Sequence, residues 1–319
     1  AVSSYKVKAT LTDERNELFE VKLNEDFATT EDAQNFVEAV LEARMKVVSI
    51  DTKPSKRSPK APFITSTLQQ EASQKLGFSV KQTMSIAQNL YREGAITYMR
   101  TDSLSLSEEA ITAAQEVIVS SYGLDFHQAR RHKTKSSSAQ EAHEAIRPTD
   151  LTKPSIFGLD DQSTKLYSLI YKRTLASQMS DAQLQKTKIN IDISNRNENF
   201  IADGEVLSFS GFLKVYDYMA AEDKLLPRLD VGDSLSLVSL ISRESFSRAK
   251  PRYTEASLVK EIEQMGIGRP STFATMITTV QDRNYVVKET REGIQRDYQQ
   301  IEIVDGVISE STHSETTGA

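Results

Sequence analysis

The stretch LQQEASQKLGFSVKQTMSIAQNLYREGAITYM, residues 68–99, predicts two helices joined by a tight turn and followed by a strand. The apolar residues of the first helix recur at helical spacing: Leu68, Ala72 and Leu76. Gly77 stands at a helix C-terminus, and Ser79 with Gln82 has the spacing of a capping box. The second helix carries Val80, Met84, Ala87 and Leu90 and ends at Gly94. We predict a strand over residues 95–99.

The same plan occurs a second time near the end of the chain. A helix with Leu258, Ile262 and Met265 is closed by Gly266, and the next helix carries Phe273, Met276, Ile277 and Val280. The turn between them holds Arg269, with Ser271 or Thr272 as the helix cap, and a strand is predicted at 285–287. Helix, turn, helix and strand is typical of winged-helix nucleic-acid-binding modules, but also of a helical hairpin in a core. A guanidinium beside a helix N-terminus favours a phosphate; the alternative is a plain capped helix with a surface arginine.

Alternating apolar residues flank the first helical block on both sides. Residues 5–11, 19–23 and 47–50 read as strands around a helix at 31–45, and strands return between 185 and 247. We therefore predict an α+β fold with three units. A discontinuous β-rich domain (1–57 and 185–247) surrounds an inserted helical, winged-helix-like domain (58–184), and a partial helical domain (248–319) carries the second helix-turn-helix unit.

A basic stretch rich in proline lies between the first strands and the helical block. Residues 53–62 contain Lys53, Pro54, Lys56, Arg57, Pro59, Lys60 and Pro62. Because this density of proline interrupts regular structure, we predict a linker. It is either a solvated loop or a strap that contacts phosphates.

Composition narrows the class of protein. The 319 residues contain 39 Lys and Arg against 45 Asp and Glu, and no Cys. The acidic balance argues against a histone-like nucleic-acid binder, so positive charge must act locally, at 53–60, 130–135 and Arg269. Without cysteine the chain has no disulfide, no thiolate zinc site and no cysteine nucleophile.

The segment 96–103, ITYMRTDS, carries the residues best suited to covalent chemistry. On a strand, Tyr98, Arg100 and Asp102 would share one face. A guanidinium favours the phenolate and binds a phosphate, so tyrosine could act as a nucleophile in phosphoryl transfer. Nearby hydroxyls from Thr97, Thr101 and Ser103 would add donors. The alternative is a strand aromatic whose hydroxyl is simply satisfied.

A second polar cluster is QEAHEAIRP, residues 140–148. It lacks the H-E-x-x-H spacing of a zinc protease. His143 and Arg147 are four residues apart, so a helix would place both on one face, where both could contact phosphate. His143 is also a candidate proton carrier. The alternative is a helix with solvated acids and a structural histidine.

Four segments together resemble the bacterial type IA DNA topoisomerase I family. They are 61–70 (APFITSTLQQ), 96–103, 140–148 and 255–283 (EASLVKEIEQMGIGRPSTFATMITTVQDR), in the family's order. Methionine between the tyrosine and the arginine is similar to the topoisomerase I branch. The resemblance implies that Tyr98, Arg100 and His143 are catalytic. It also implies DNA-binding positions: Thr97, Asp102, Arg147, Arg269, Ser271 and Thr272.

The resemblance further implies a ring-shaped enzyme, with a β-rich arch, a tyrosine-bearing helical domain and a base. The family's acidic magnesium-binding domain and its cysteine zinc modules have no counterpart in this sequence, which opens Ala1-Val2-Ser3 without Met. We therefore expect a central fragment that binds no metal, needs Mg²⁺ only within the full-length enzyme and does not relax supercoils alone. The implied partners are single-stranded DNA and the N-terminal metal-binding domain, in the bacterial cytoplasm at the nucleoid. The alternative functions are a non-enzymatic DNA-binding module with two winged-helix-like units and a structural protein.

Overall fold

The computed structural model describes residues 2–132, 144–216, 224–248 and 250–318, and these form a mixed α/β structure. Within them lie eight strands: β1 (Ser3–Thr12), β2 (Leu18–Leu23), β3 (Met45–Arg57), β4 (Ala182–Ile193), β5 (Asn199–Phe209), β6 (Ser234–Phe246), β7 (Ile294–Val304) and β8 (Val307–Thr317). The same residues contain seven α-helices: α1 (Thr30–Leu41), α2 (Thr65–Leu76), α3 (Val80–Arg92), α4 (Glu108–Tyr122), α5 (Asp161–Ser177), α6 (Glu255–Gln264) and α7 (Phe273–Asp282). No helix of the described part is long and apolar enough to cross a membrane.

The strands from both sides of the helical block join one antiparallel sheet. Its order is β1-β2-β5-β4-β3-β6, and β6 pairs again with β1, so these strands close into a barrel. The buried side chains alternate along β1, as the period-two pattern predicted. They meet Phe36 and Val40 of α1 and Ile191 of β4 in a common core. β1 pairs with β6 along its whole length, so β1 has no free edge on that side.

The predicted linker is wrong over residues 53–57, because β3 runs through them to Arg57. This part of β3 pairs with β4, including Pro54 opposite Gln185. The other edge of β3 pairs with β6 only at Met45 and Lys46. A strand with one unpaired edge tolerates proline, since the missing N–H is not needed there.

The last predicted unit also differs in part. Residues 294–317, placed in the helical domain 248–319, form the hairpin β7–β8, which pairs with β6 and extends the sheet. Its turn is Asp305-Gly306, both with positive φ, and this is the residue pair that favours a two-residue hairpin. Residues 285–287, predicted as a strand, belong to no strand.

Both predicted helix pairs are present. Gly77 ends α2 with a φ of 68°, and Ser79 caps α3 by accepting a hydrogen bond from the Gln82 amide. The second pair, α6 and α7, packs on the first through an apolar cluster of Val80, Val259, Phe273 and Ile277. A carboxylate oxygen of Glu255 also accepts from the amide of Val80 at 2.9 Å. The two units therefore contact each other directly. Since neither predicted following strand forms, the likeness to winged helices stops at the helices.

Candidate active site around Tyr98

The segment 96–103 is irregular rather than a strand, with a single bridge between Ile96 and Pro148. Exposure nevertheless alternates along it. Tyr98 is 40% exposed and Arg100 is exposed, whereas Met99 between them is 1% exposed and belongs to the core of the helical block. The buried methionine therefore anchors the segment while the phenol and the guanidinium reach solvent.

Both exposed side chains lack a polar partner among the described residues. The Tyr98 hydroxyl forms no hydrogen bond to any described residue, and Arg100 forms no ion pair within the described ranges. The ring of Tyr98 meets Tyr91 edge-on, with centroids 5.2 Å apart. The hydroxyl of Tyr167, by contrast, donates to the Lys153 carbonyl at 2.7 Å. Tyr98 thus has a phenol that can approach a substrate.

Thr97 attaches the segment to residues 144–148. Its hydroxyl donates to the Ala145 carbonyl at 2.7 Å and accepts from the Arg147 amide at 3.0 Å. Its own amide donates to the Arg147 carbonyl at 2.9 Å. The resemblance implies a DNA contact for Thr97, but in this structure its hydroxyl is used inside the protein.

The hydroxyls on the other side of Arg100 are also occupied. Thr101 and Ser103 are buried, and each accepts from the amide two residues further on, Ser103 and Ser105 respectively. Such local bonds build a turn. Both hydroxyls act as acceptors in these bonds and shape the backbone, and their donation to a phosphate stays a prediction.

The described part of the second polar cluster, residues 144–148, is not helical, so the same-face argument fails there. His143, with residues 140–142, lies outside the described residues. Arg147 donates to Glu144 at 2.7 Å and to the Pro148 carbonyl at 2.9 Å, while its Nε is buried without a partner among the described residues. Burial opposes the ionisation of Glu144, but hydrogen bonds from Arg147 and Ser107 outweigh it and lower its pKa. Arg147 is thus held by the protein rather than turned to solvent.

The charge of Asp102 acts on a carboxyl group of the second helix pair, that of Glu263. Glu263 of α6 accepts a hydrogen bond from the hydroxyl of Ser66, at the start of α2. Burial, with the charge of Asp102 as a further cause, raises the pKa of Glu263. Ser66 and Glu263 were missed from sequence because partners 197 residues apart show no local pattern.

The turn between α6 and α7 presents Arg269, Ser271 and Thr272 to solvent. The Thr272 hydroxyl accepts from the Arg269 amide at 2.8 Å, and Thr272 caps α7 without a side-chain bond to the helix. The Arg269 guanidinium donates to the Gly268 carbonyl of its own turn. This exposed cation beside a helix N-terminus keeps the features expected for a phosphate contact.

A magnesium site was expected to lie outside this chain. Among the described residues no three histidine, aspartate or glutamate side chains converge as ligands. The described residues therefore do not fit such a metal, and no chemistry is assigned to one here.

Comparison with known proteins gives the family. A model described as DNA topoisomerase matches residues 1–315. DNA topoisomerase 1 of Streptomyces coelicolor is 45% identical over 272 residues, which cover 81% of this chain and 29% of that protein. The enzyme of Rickettsia bellii is 41% identical over 308 residues, covering 88% of this chain and 38% of its own.

A solved structure agrees. Full-length topoisomerase I from Thermotoga maritima is 33% identical and superposes with a TM-score of 0.75, covering 91% of this chain and 48% of that one. The chain belongs to the DNA topoisomerase family, which confirms the resemblance found in its motifs. It spans between 29% and 38% of the length of the two curated relatives above.

Proposed function

We propose that this chain is the strand-cleaving part of a type IA DNA topoisomerase I, with Tyr98 as the nucleophile. The observation that supports this best is the exposure of Tyr98 and Arg100, two residues apart, on an anchored backbone segment, with no polar partner for either side chain among the described residues. A phenol and a guanidinium that are both open to solvent suit attack on a phosphodiester.

In the proposed step, Tyr98 attacks a phosphodiester of one DNA strand. The Tyr98 oxygen loses its proton and bonds to the phosphorus, while the bond from phosphorus to the 3′ oxygen breaks. The leaving oxygen takes a proton and becomes a 3′ hydroxyl, and the 5′ phosphate stays on the tyrosine. Religation is the reverse reaction, so one diester replaces another and no external energy source is needed. Arg100 would bind the non-bridging oxygens.

The other predicted site residues take supporting roles in this proposal. His143 would carry a proton, and Arg269 with Thr272 would bind a single strand beside α7. In a ring-shaped full-length enzyme, one strand would pass through the break in another and relax negative supercoils. Mg²⁺ would be held by an N-terminal domain of the same protein, and the DNA substrate implies a location at the nucleoid.

The test is to trap the covalent adduct. The chain, joined to an N-terminal metal-binding domain, is incubated with a single-stranded oligonucleotide labelled at its 3′ end, because that end stays with the tyrosine. Tyr98→Phe should abolish the labelled protein, while the matched control Tyr91→Phe should keep it. An adduct that persists in Tyr98→Phe would show that the nucleophile is another residue.

Two further results separate the alternatives. Binding of single-stranded DNA without any adduct in the unmodified protein would favour the non-enzymatic module. Turnover by the isolated chain in a supercoil-relaxation assay with Mg²⁺ would contradict the expectation that it is catalytically incomplete.

A further inference from the structure

Thr65, the first residue of α2, contacts the backbone on both sides of Arg100. Its hydroxyl donates toward the carbonyls of Met99, at 2.8 Å, and Thr101, at 3.0 Å. The same oxygen accepts from the Thr101 amide at 2.9 Å. One side chain thus engages three backbone groups of the tyrosine segment.

The backbone of Thr65 adds a fourth contact. Its amide donates to the Thr101 carbonyl at 3.0 Å. The first amides of a helix have no partner inside the helix, so the tyrosine segment satisfies one of them for α2. The helix start and the segment therefore determine each other's position.

We propose that Thr65 is a positioning residue that holds Tyr98 and Arg100 in the geometry for strand cleavage, an inference that rests on the proposed function. Thr65 is 0% exposed, so it acts through the backbone and not by touching DNA. Together with Thr97 it brackets the two exposed side chains, one hydroxyl before Tyr98 and one behind Arg100.

Strand cleavage tolerates little error in the position of the attacking oxygen. Displacement at phosphorus needs the attacking oxygen in line with the leaving oxygen, and a misplacement of about 1 Å costs roughly 100-fold in rate. An irregular segment has no ladder of backbone bonds to fix it, so its position depends on such side-chain bonds. Arg100 would shift with the carbonyls that Thr65 holds.

The test compares three variants in the joined protein. Thr65→Val keeps the shape but loses the hydroxyl, and Thr65→Ser keeps the hydroxyl. Thr83→Val is the matched control, because Thr83 is also fully buried and its hydroxyl donates to the carbonyl of Ser79, the N-cap of α3. Hydrogen exchange at the Thr101 amide reports the contact itself.

We expect Thr65→Val to expose the Thr101 amide to exchange and to slow single-turnover cleavage roughly 10- to 100-fold, with oligonucleotide affinity changed less than about threefold. Thr65→Ser should restore both readouts, and Thr83→Val should leave the cleavage rate unchanged. If Thr65 had only a structural role, Thr65→Val and Thr83→Val would lower the free energy of unfolding equally, and the two variants would cleave at the same rate.

The same experiments distinguish a failure of the role of Thr65 from a failure of the proposed function. If Tyr98→Phe abolishes the adduct but Thr65→Val cleaves as fast as Thr83→Val, the role of Thr65 is wrong and the proposed function stands. If the adduct survives in Tyr98→Phe, or never forms, the proposed function fails and the role of Thr65 fails with it.

Discussion

Replacing Arg173 with methionine should lower the free energy of unfolding by about 3 kcal/mol. Arg173 of α5 and Glu71 of α2 form a buried ion pair at 2.7 Å, with side chains 4% and 8% exposed. The guanidinium also donates to the Ala61 carbonyl at 2.6 Å and stacks on Phe63, 4.6 Å from the ring centre. Removing one partner of a buried pair typically costs about 3–5 kcal/mol.

The lower end of that range applies because Glu71 keeps other partners. The Tyr216 hydroxyl donates to it at 2.6 Å, and Lys75 lies 3.5 Å away. Methionine also fills much of the space and keeps a contact with the aromatic ring. The expected cost comes from the Glu71 carboxylate, which loses one counter-charge, and from the Ala61 carbonyl, which loses the donor that Arg173 supplies.

A double-mutant cycle measures this coupling. In the Glu71→Gln background, Arg173→Met leaves no buried carboxylate without its counter-charge. The substitution should then lower the free energy of unfolding by only about 1 kcal/mol, and the glutamine side-chain oxygen can still accept from Tyr216. The measurement is urea unfolding followed by two optical probes that must coincide. Arg131→Met is the exposed control, since its pair with Glu108 lies in solvent and should change stability by less than about 1 kcal/mol.

An equal cost of Arg173→Met in both backgrounds would refute the reasoning, because the stranded charge would then not be its source. The Arg173–Glu71 pair is also connected to the candidate site through the backbone of residues 61–63. Arg173 holds the Ala61 carbonyl, and the carbonyl of nearby Phe63 accepts from the Ile146 amide at 2.8 Å, next to the residues that hold Thr97. Loss of the pair should therefore loosen the tyrosine segment as well.

Two further predictions concern the second helix pair. Gly268→Ala should destabilise it by about 2–4 kcal/mol, because its φ is +80° and a Cβ would also meet the Met276 sulfur at 2.8 Å. Gly266→Ala, also left-handed but with open space around a Cβ, should cost about 1 kcal/mol. Equal urea midpoints for the two would contradict the steric argument. Burial first, then the charge of Asp102, raises the pKa of Glu263, so the folded state holds its proton where the unfolded state has lost it. The free energy of unfolding should therefore fall as the pH rises from about 4.5 through the folded-state pKa. Glu263→Gln should remove that fall, because glutamine does not titrate there. A variant with the same pH dependence as the unchanged protein would contradict this assignment.

Periodic patterns predicted the regular elements because their signals are local. Alternation along 5–11 and the Gly77–Ser79 punctuation report on neighbours within a few residues, and both were confirmed. The motif residues Tyr98 and Arg100 could be singled out from sequence for the same reason. Their roles stay predictions, since a motif carries chemistry only in its context.

The sequence-based predictions failed where partners distant in the chain determine the local structure. Pro54 reads as a breaker, yet it lies in β3 because only one edge of that strand is paired there. Residues 95–99 have a strand's composition, but the Ala95 carbonyl and the amide and hydroxyl of Thr97 bond to residues about 50 positions further along the chain instead of joining a ladder. No window of sequence contains those partners.

That difference bears on the site itself. A tyrosine on a strand would be positioned by a ladder of backbone bonds, and its side-chain direction would follow from the pleat. Here the Thr97 hydroxyl reaches 48 residues ahead, and the Thr65 hydroxyl reaches 34 residues ahead. Two hydroxyls, each contributed by a threonine, thus take the place of a ladder. A motif search finds Tyr98 and Arg100, while only the fold identifies the two threonines that hold the backbone around them. Substitutions at Thr65 and Thr97 should consequently affect the chemistry, although both hydroxyls bond inside the protein.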